Sequence, residues 1–379
     1  MYNGAVGRIS LMKHLDPYRR PEMLRALAAK LREVPLPSGR INLMEVCGTH
    51  TMNIHRHGVR DVLPENVRLV SGPGCPVCVT PRKGIDTAVA YARDRSVIVA
   101  TFGDMMRVPG STASLADERS QGADIRIVYS PLDCLTLAKE YPSKTVVFIG
   151  IGFETTLPGN AQSVLKAKEE GIGNYKMLSL GKVIPPAMEI LADDPELNLQ
   201  GFLAAAHVST IIGLEPYVPI AEKGVPVVVA GFEPADILAG ILALLKQISD
   251  KRAEVENEYS RVAKREGNPR AMEVIDTLFE TVDSEWYGFG VIPKSGMKIR
   301  DEYAEFDAEV AHPVDVEPTK PIVGCRCGDV LRGLIEPPEC PLFAGACAPT
   351  HPLGACMVSS EGTCAAYYKY QRPVETELT

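Results

Sequence analysis

The feature that most constrains the fold is an alternation. Eight short, β-branched runs end in glycine or a polar turn residue and are separated by segments with apolar residues at helical spacing. The runs are Ile41 to Val46, Val67 to Gly72, Ser96 to Thr101, Asp124 to Tyr129, Thr145 to Gly150, Lys176 to Leu180, Gly201 to Ala206 and Val225 to Ala230. Amphipathic stretches such as Ala161 to Glu170 fill the intervals. Strands alternating with helices predict parallel sheets in an α/β fold. Two sets of four, parted near Ala138 to Ser143, predict two similar Rossmann-like α/β domains over residues 1–141 and 142–245, then a helical, cysteine-rich domain over residues 246–379. From Glu233 onward Pro234 to Ile248, Lys251 to Arg265 and Pro269 to Val282 read as helices, and regular structure is expected to fade after Trp286.

With 379 residues the chain can build two or three cores, and a formal charge of −8 gives it no basic excess. Binding to a phosphate backbone is therefore not expected, since no Lys/Arg-rich stretch supplies it. No window approaches the roughly 18 apolar residues of a transmembrane helix. The N-terminal MYNGAVGRISLMKHLD lacks the apolar run and cleavage site of a signal peptide. A cytoplasmic protein without nucleic-acid or membrane partners is the expectation. In a long chain of that kind, ten cysteines point to metal or redox chemistry.

Ligands of open parallel sheets bind beyond the carboxyl ends of the strands, and the unusual residues fall there. The first strand runs into Cys47-Gly48-Thr49-His50 and the second into Gly72-Pro73-Gly74-Cys75-Pro76-Val77-Cys78. The third ends at Asp104, the fifth at Glu154 and Thr155, and the last two at His207 and Glu233. If the sheets face each other by these edges, the motifs line a cleft. Cys75 and Cys78 have the C-x-x-C spacing of a reversible disulfide, and a helix starting just after would lower one thiol's pKa; half of a zinc site is the alternative. Cys47 with His50 offers a thiolate and an imidazole for iron, copper or zinc, or a pair that merely caps the next helix. Asp104 and Glu154 could be acid/base groups or helix caps. His207 could support the cleft or take part in chemistry. His55 and His57 are expected to be exposed, and Cys134 to be a core residue.

Six cysteines, Cys325, Cys327, Cys340, Cys347, Cys356 and Cys364, lie in a Gly- and Pro-rich C-terminal stretch. Cys327, Cys340, Cys347 and Cys364 form C-x12-C-x6-C-x16-C, which suits a [4Fe-4S] cluster; a structural zinc site more often has closely spaced pairs. Cys325 and Cys356 are left as spares, one of the tight Cys325/Cys327 pair being a bystander.

Together, CGTH, GPGCPVC, TFGDM, GFETT, HVST, GFEP and CGDVLRG, followed by the spaced cysteines, resemble the HypD family of hydrogenase maturation factors over nearly the whole chain. Ala206 stands where that pattern leads one to expect glycine, and the first fifteen or so residues look like a variable extension. The resemblance implies a scaffold that builds the Fe(CN)2CO group of [NiFe]-hydrogenases. It implies a stable complex with HypC, which contributes a cysteine to the iron, and cyanide from HypE, made with the help of HypF; the hydrogenase large subunit is reached indirectly. Carried over by residue, Cys47 would bind the iron with His50 beside it. Cys75 and Cys78 would be the redox pair, and Cys327, Cys340, Cys347 and Cys364 the [4Fe-4S] ligands. Reductive release of cyanide needs two electrons and a cluster passes one at a time, so a relay from cluster to Cys75/Cys78 disulfide to cyanide transfer at Cys47 is expected, similar to ferredoxin:thioredoxin reductase.

Two other readings compete. One is a free-standing iron-sulfur thiol-disulfide oxidoreductase, which would not need Cys47. The other is a zinc-stabilised small-molecule enzyme using Asp104 and Glu154.

Overall fold

The structure, a computed structural model, describes residues 16–371. All eight expected strands form: β1 (Ile41–Glu45), β2 (Val67–Ser71), β3 (Val97–Thr101), β4 (Ile125–Ile127), β5 (Thr145–Gly152), β6 (Tyr175–Gly181), β7 (Leu199–Ala205) and β8 (Val227–Ala230). Three more come after them, β9 (Val255–Asn257), β10 (Phe279–Trp286) and β11 (Gly290–Ile299). The chain is α/β, with two all-parallel sheets of Rossmann-like character and its later cysteines gathered toward the C-terminus.

Sheet membership corrects the expectation of consecutive fours. The first sheet has the order β2-β1-β7-β8-β9 and the second β4-β3-β5-β6. The chain leaves the first sheet after β2, builds the whole second sheet, and returns at β7 beside β1. Both sheets thus contain strands from either side of residue 141. Local periodicity marks a strand but not its partner, and the β1–β7 pairing spans more than 150 residues.

The C-terminal half also differs from expectation. Pro234–Ser249 is a helix, as its apolar spacing predicts, and it packs with Pro21–Glu33 against the first sheet. Lys251 to Arg265 is not helical: Val255–Asn257 adds an edge strand to β8. The helix Pro269–Leu278 stops early, and the chain continues into an antiparallel hairpin of β10 and β11. Its turn, Tyr287-Gly288-Phe289, holds Gly288 at φ +85°, and a Cβ there would lie 2.4 Å from the Gly328 Cα. The Tyr287 N–H also donates to the Val79 carbonyl at 2.8 Å. The hairpin tip is thereby wedged between the Cys75/Cys78 loop and the cysteine-rich segment.

One buried apolar cluster runs from Val99 and Val147 of the second sheet through Met44 and Val227 of the first to Cys327, Cys347, Cys356 and Cys364. The cysteine-rich segment is therefore sealed onto both sheets. Polar clamps complete the join: Arg60 reaches Glu336 at 3.1 Å and Arg332 reaches Asp194 at 2.9 Å. No described helix is long and apolar enough to cross a membrane. The N-terminal extension read from the sequence lies outside the described residues.

Candidate functional site

The carboxyl ends of β2, β1, β7 and β8 lie side by side, which brings their four loops together. Cys47 precedes the helix Gly48–Arg56, and Cys75 precedes the one-turn helix Pro76–Val79. The two loops are in backbone contact. Gly48 N–H donates to the Gly74 carbonyl at 3.0 Å, and a Cβ on Gly74 would lie 2.2 Å from the Cys47 nitrogen. Only glycine lets the two cysteine loops approach this closely.

Cys47 Sγ lies 3.7 Å from Nε2 of His207, which comes from the end of β7. Burial pushes the Cys47 thiol well up, and the nearby carboxyl groups of Glu361 and Glu45 add to this. Burial also lowers His207 to about 4. The pair is therefore a neutral thiol beside a neutral imidazole at neutral pH, not a thiolate–imidazolium pair. A soft metal ion binding Cys47 has to displace its proton, and His207 Nε2 is the adjacent base. Beneath Cys47, buried Glu45 accepts the Cys47 N–H at 3.0 Å and is bonded by the Thr51 hydroxyl; burial raises it to about 8.

His50 is placed differently from His207. Its Nε2–H donates to the carbonyls of Gly231 at 2.8 Å and Ala230 at 3.2 Å, while its buried Nδ1 has no partner among the described residues. Both rings contact Phe232, His207 stacked at 4.8 Å and His50 tilted at 5.0 Å. Glu233 pairs with Arg19 at 2.8 Å. His57 is exposed as expected, but His55 is buried against Tyr367 with ring centroids 4.3 Å apart. It lies on the helix face that the C-terminal helix Thr363–Tyr370 covers, a long-range packing partner invisible in its local sequence.

The second sheet contributes Glu154, whose Oε1 accepts the Ile184 N–H at 2.9 Å while buried Oε2 lacks a partner among the described residues. Burial raises Glu154 to about 7. The two sheets meet here: Cys47, buried Tyr217 and Phe153 belong to one buried cluster. Thr155 is exposed, and Asp104 is exposed with Oδ2 accepting from Ser359 at 3.0 Å. Cys134 is a core residue of the second sheet.

Cys75 Sγ accepts the Cys78 N–H at 3.3 Å. The expected lowering does not occur at Cys78: burial pushes its thiol up, reinforced by hydrogen bonding with Cys356 and Cys75. A thiol inside a one-turn helix, sealed from water, gains little from the helix dipole. Cys356, read as a spare, is central. Its short helix packs on the Pro76–Val79 turn that carries Cys78, it lines the same pocket as Cys327 and Cys364, and its Sγ accepts the Cys364 N–H at 3.3 Å. Cys325 is lowered to about 7, chiefly by its hydrogen bond with Cys327.

Cys325, Cys327, Cys340, Cys347, Cys356 and Cys364 line one pocket closed by Leu342, Phe343 and Met357. Its only polar side chains are thiols. The Leu353 N–H points to Cys347 Sγ at 3.3 Å, and a Cβ on Gly354 would lie 3.1 Å from Cys325 Sγ. Among the described residues no three His, Cys, Asp or Glu side chains converge as ligands of a single ion. A cluster of four irons instead takes one thiolate at each of four corners, so this thiol-walled, N–H-supplied pocket fits an iron-sulfur cluster.

Two residues escaped sequence reasoning. Ser359 and Glu361, between Cys356 and Cys364, bind Asp104 of the second sheet and Thr49 of the first, the latter at 2.8 Å. Their signal is the polar Ser-Ser-Glu run between Cys356 and Cys364.

Fold and site together define a cysteine-centred α/β scaffold. A family model described as HypD, hydrogenase formation hypA family, matches residues 22–371. The chain is 45% identical over 370 residues to the hydrogenase maturation factor HypD of Cupriavidus necator, covering 95% of this chain and 98% of that one. It is 44% identical over 369 residues to HypD of Azotobacter vinelandii, covering 95% and 97%. It is also 44% identical over 344 residues to a putative hydrogenase expression/formation protein of Methanocaldococcus jannaschii, covering 90% and 96%. The chain belongs to the HypD family of hydrogenase maturation factors.

Proposed function

We propose that this protein, with a HypC partner in the cytoplasm, holds iron while its cyanide and carbon monoxide ligands are installed, taking cyanide from HypE and HypF. The observation that supports this is the packing of Cys47 against the Cys75 loop, with the turn that carries Cys78 packed on the short helix that carries Cys356 of the cysteine pocket. A free-standing disulfide reductase would need the dithiol and the pocket, but not a third buried thiol with its own imidazole.

Cys47 supplies the soft thiolate that a low-spin ferrous ion requires, His207 Nε2 is the nearest group to pass the displaced proton on, and burial limits access of water and oxygen. Cys75 and Cys78 can release two electrons and two protons as they close to a disulfide. Cys340, Cys347 and Cys364, with Cys327 as the fourth, would hold a [4Fe-4S] cluster, which when bound supplies single electrons. Cys325 lines the same wall, and Cys327 is engaged with Cys356, so the serine variants of Cys325 and Cys327 decide the fourth ligand. The variant that loses the broad iron-sulfur absorption identifies it.

The deciding experiment is anaerobic copurification with HypC, with infrared spectroscopy in the metal-carbonyl and metal-cyanide region. Wild-type protein should show both bands, and Cys47→Ala should lose them while keeping the cluster absorption. Bands that persist in Cys47→Ala would move the iron elsewhere. Brown protein without bands, with all partners present, would favour the reductase.

A further inference from the structure

Nine of the ten cysteines are buried, and Cys325 alone is partly exposed. It opens onto a recess of about 550 Å³ lined by Arg82, Lys83, Tyr287 and Lys320, with the single carboxylate of Glu285. In a chain of net charge −8, three cations against one carboxylate is a local reversal of sign. The arrangement is built: the Arg82 guanidinium donates to the Lys320 carbonyl at 2.5 Å, and the Lys320 N–H donates to Ser111 Oγ at 2.9 Å. These bonds hold the extended segment near Cys325 against the helix Arg82–Arg93, leaving Lys83 and Lys320 exposed.

We propose that Arg82, Lys83 and Lys320 form the docking surface for an acidic one-electron carrier protein, seated at the wall of the cysteine pocket where Cys325 is partly exposed. The inference rests on the redox reading given under Proposed function. Reopening a Cys75–Cys78 disulfide breaks one S–S bond and forms two S–H groups. It consumes two electrons and two protons, and two successive oxidations of the carrier supply the electrons while solvent supplies the protons. Such a carrier is reduced outside this chain and must approach where a sulfur meets solvent. Basic groups ringing that point steer an acidic protein and exclude a basic one, an effect that weakens as salt rises.

The test uses the full chain and a plant-type [2Fe–2S] ferredoxin as an acidic probe. Carbodiimide cross-linking at low salt should join ferredoxin carboxylates to Lys83 and Lys320, as mapped by mass spectrometry, and the cross-links should fade at high salt. In titration calorimetry the double variant Lys83→Glu/Lys320→Glu should bind at least about tenfold more weakly. Lys264→Glu, on an exposed residue outside the recess, should bind as the wild type does. Cross-links mapping elsewhere, salt-independent binding, no binding, or an unchanged affinity in the double variant would each overturn the proposal. Binding at Lys83 and Lys320 by a protein that never acquires iron-sulfur absorption would support the surface and sink the cluster reading instead.

Discussion

At the scale of single residues, burial decides the chemistry. Cys47, His207, His50 and Glu154 each occupy sites where the charged form is disfavoured, so the thiol and the two imidazoles rest neutral at pH 7 while Glu154 titrates near that pH. Glu154 gives this a measurable sign. Its folded pKa of about 7 lies above the unfolded value of 4.5, so its contribution to stability is whole below pH 4.5 and is lost as pH rises through 7. Glu154→Gln is uncharged throughout. Its stability relative to wild type should therefore climb between pH 5 and pH 8 by up to about 3 kcal/mol, read from denaturant midpoints. An offset that stays flat across that range would show the carboxyl to be solvated. The sequence pointed to Glu154 because it ends a strand, and to His50 because it shares a motif with Cys47. Which imidazole faces the sulfur is set by the roll of the helix Gly48–Arg56, which turns His50 toward the carbonyls ending β8. That roll depends on Phe232 and other distant residues, so a local motif could not reveal that His207 is the nearer ring.

At the scale of elements, most of the first eight strands were legible because a parallel strand covered on both faces is a continuous apolar run, whereas the edge strand β4 has Arg126 and Ile127 exposed. β9 to β11 were not legible. β10 reads Phe-Glu-Thr-Val-Asp-Ser-Glu-Trp, buried only at its two ends, so neither a run nor a clean alternation announces it. Its partner and its turn glycines specify it instead. Sheet membership was equally hidden, since β1 and β7 meet only in space. The loops at the strand ends carry a stricter demand than the strands do. Gly74 has no room for a side chain against the Cys47 backbone. Gly74→Ala should thus push the Cys75 loop off the Cys47 loop at a cost of about 3 kcal/mol or more in unfolding free energy. It should also destroy iron binding even at temperatures where the protein remains folded. Near-wild-type stability together with retained iron would show that the loops separate without consequence.

Across the whole molecule, the C-terminal segment acts as a bridge between the two sheets. Ser359 holds Asp104 from one sheet, Glu361 holds Thr49 from the other, and Cys356 between the pocket and Cys78 lies in the same segment. Spacing along the chain groups these cysteines but leaves Cys356 a spare, because spacing says which thiols share a loop and not which loop folds back onto the first sheet. The contacts predict how the thiols pair under mild oxidation. Iron-free protein treated with diamide, alkylated and digested should yield a Cys75–Cys78 disulfide and disulfides joining Cys356 to Cys78, Cys327 or Cys364. Cys134, buried in the second sheet's own core, should be alkylated only after denaturation. The discriminating result is the fate of Cys356. If it is recovered as a free thiol while Cys75 and Cys78 are oxidised, the pocket and the cleft are not in thiol contact, and electrons entering at the pocket need another path to the dithiol.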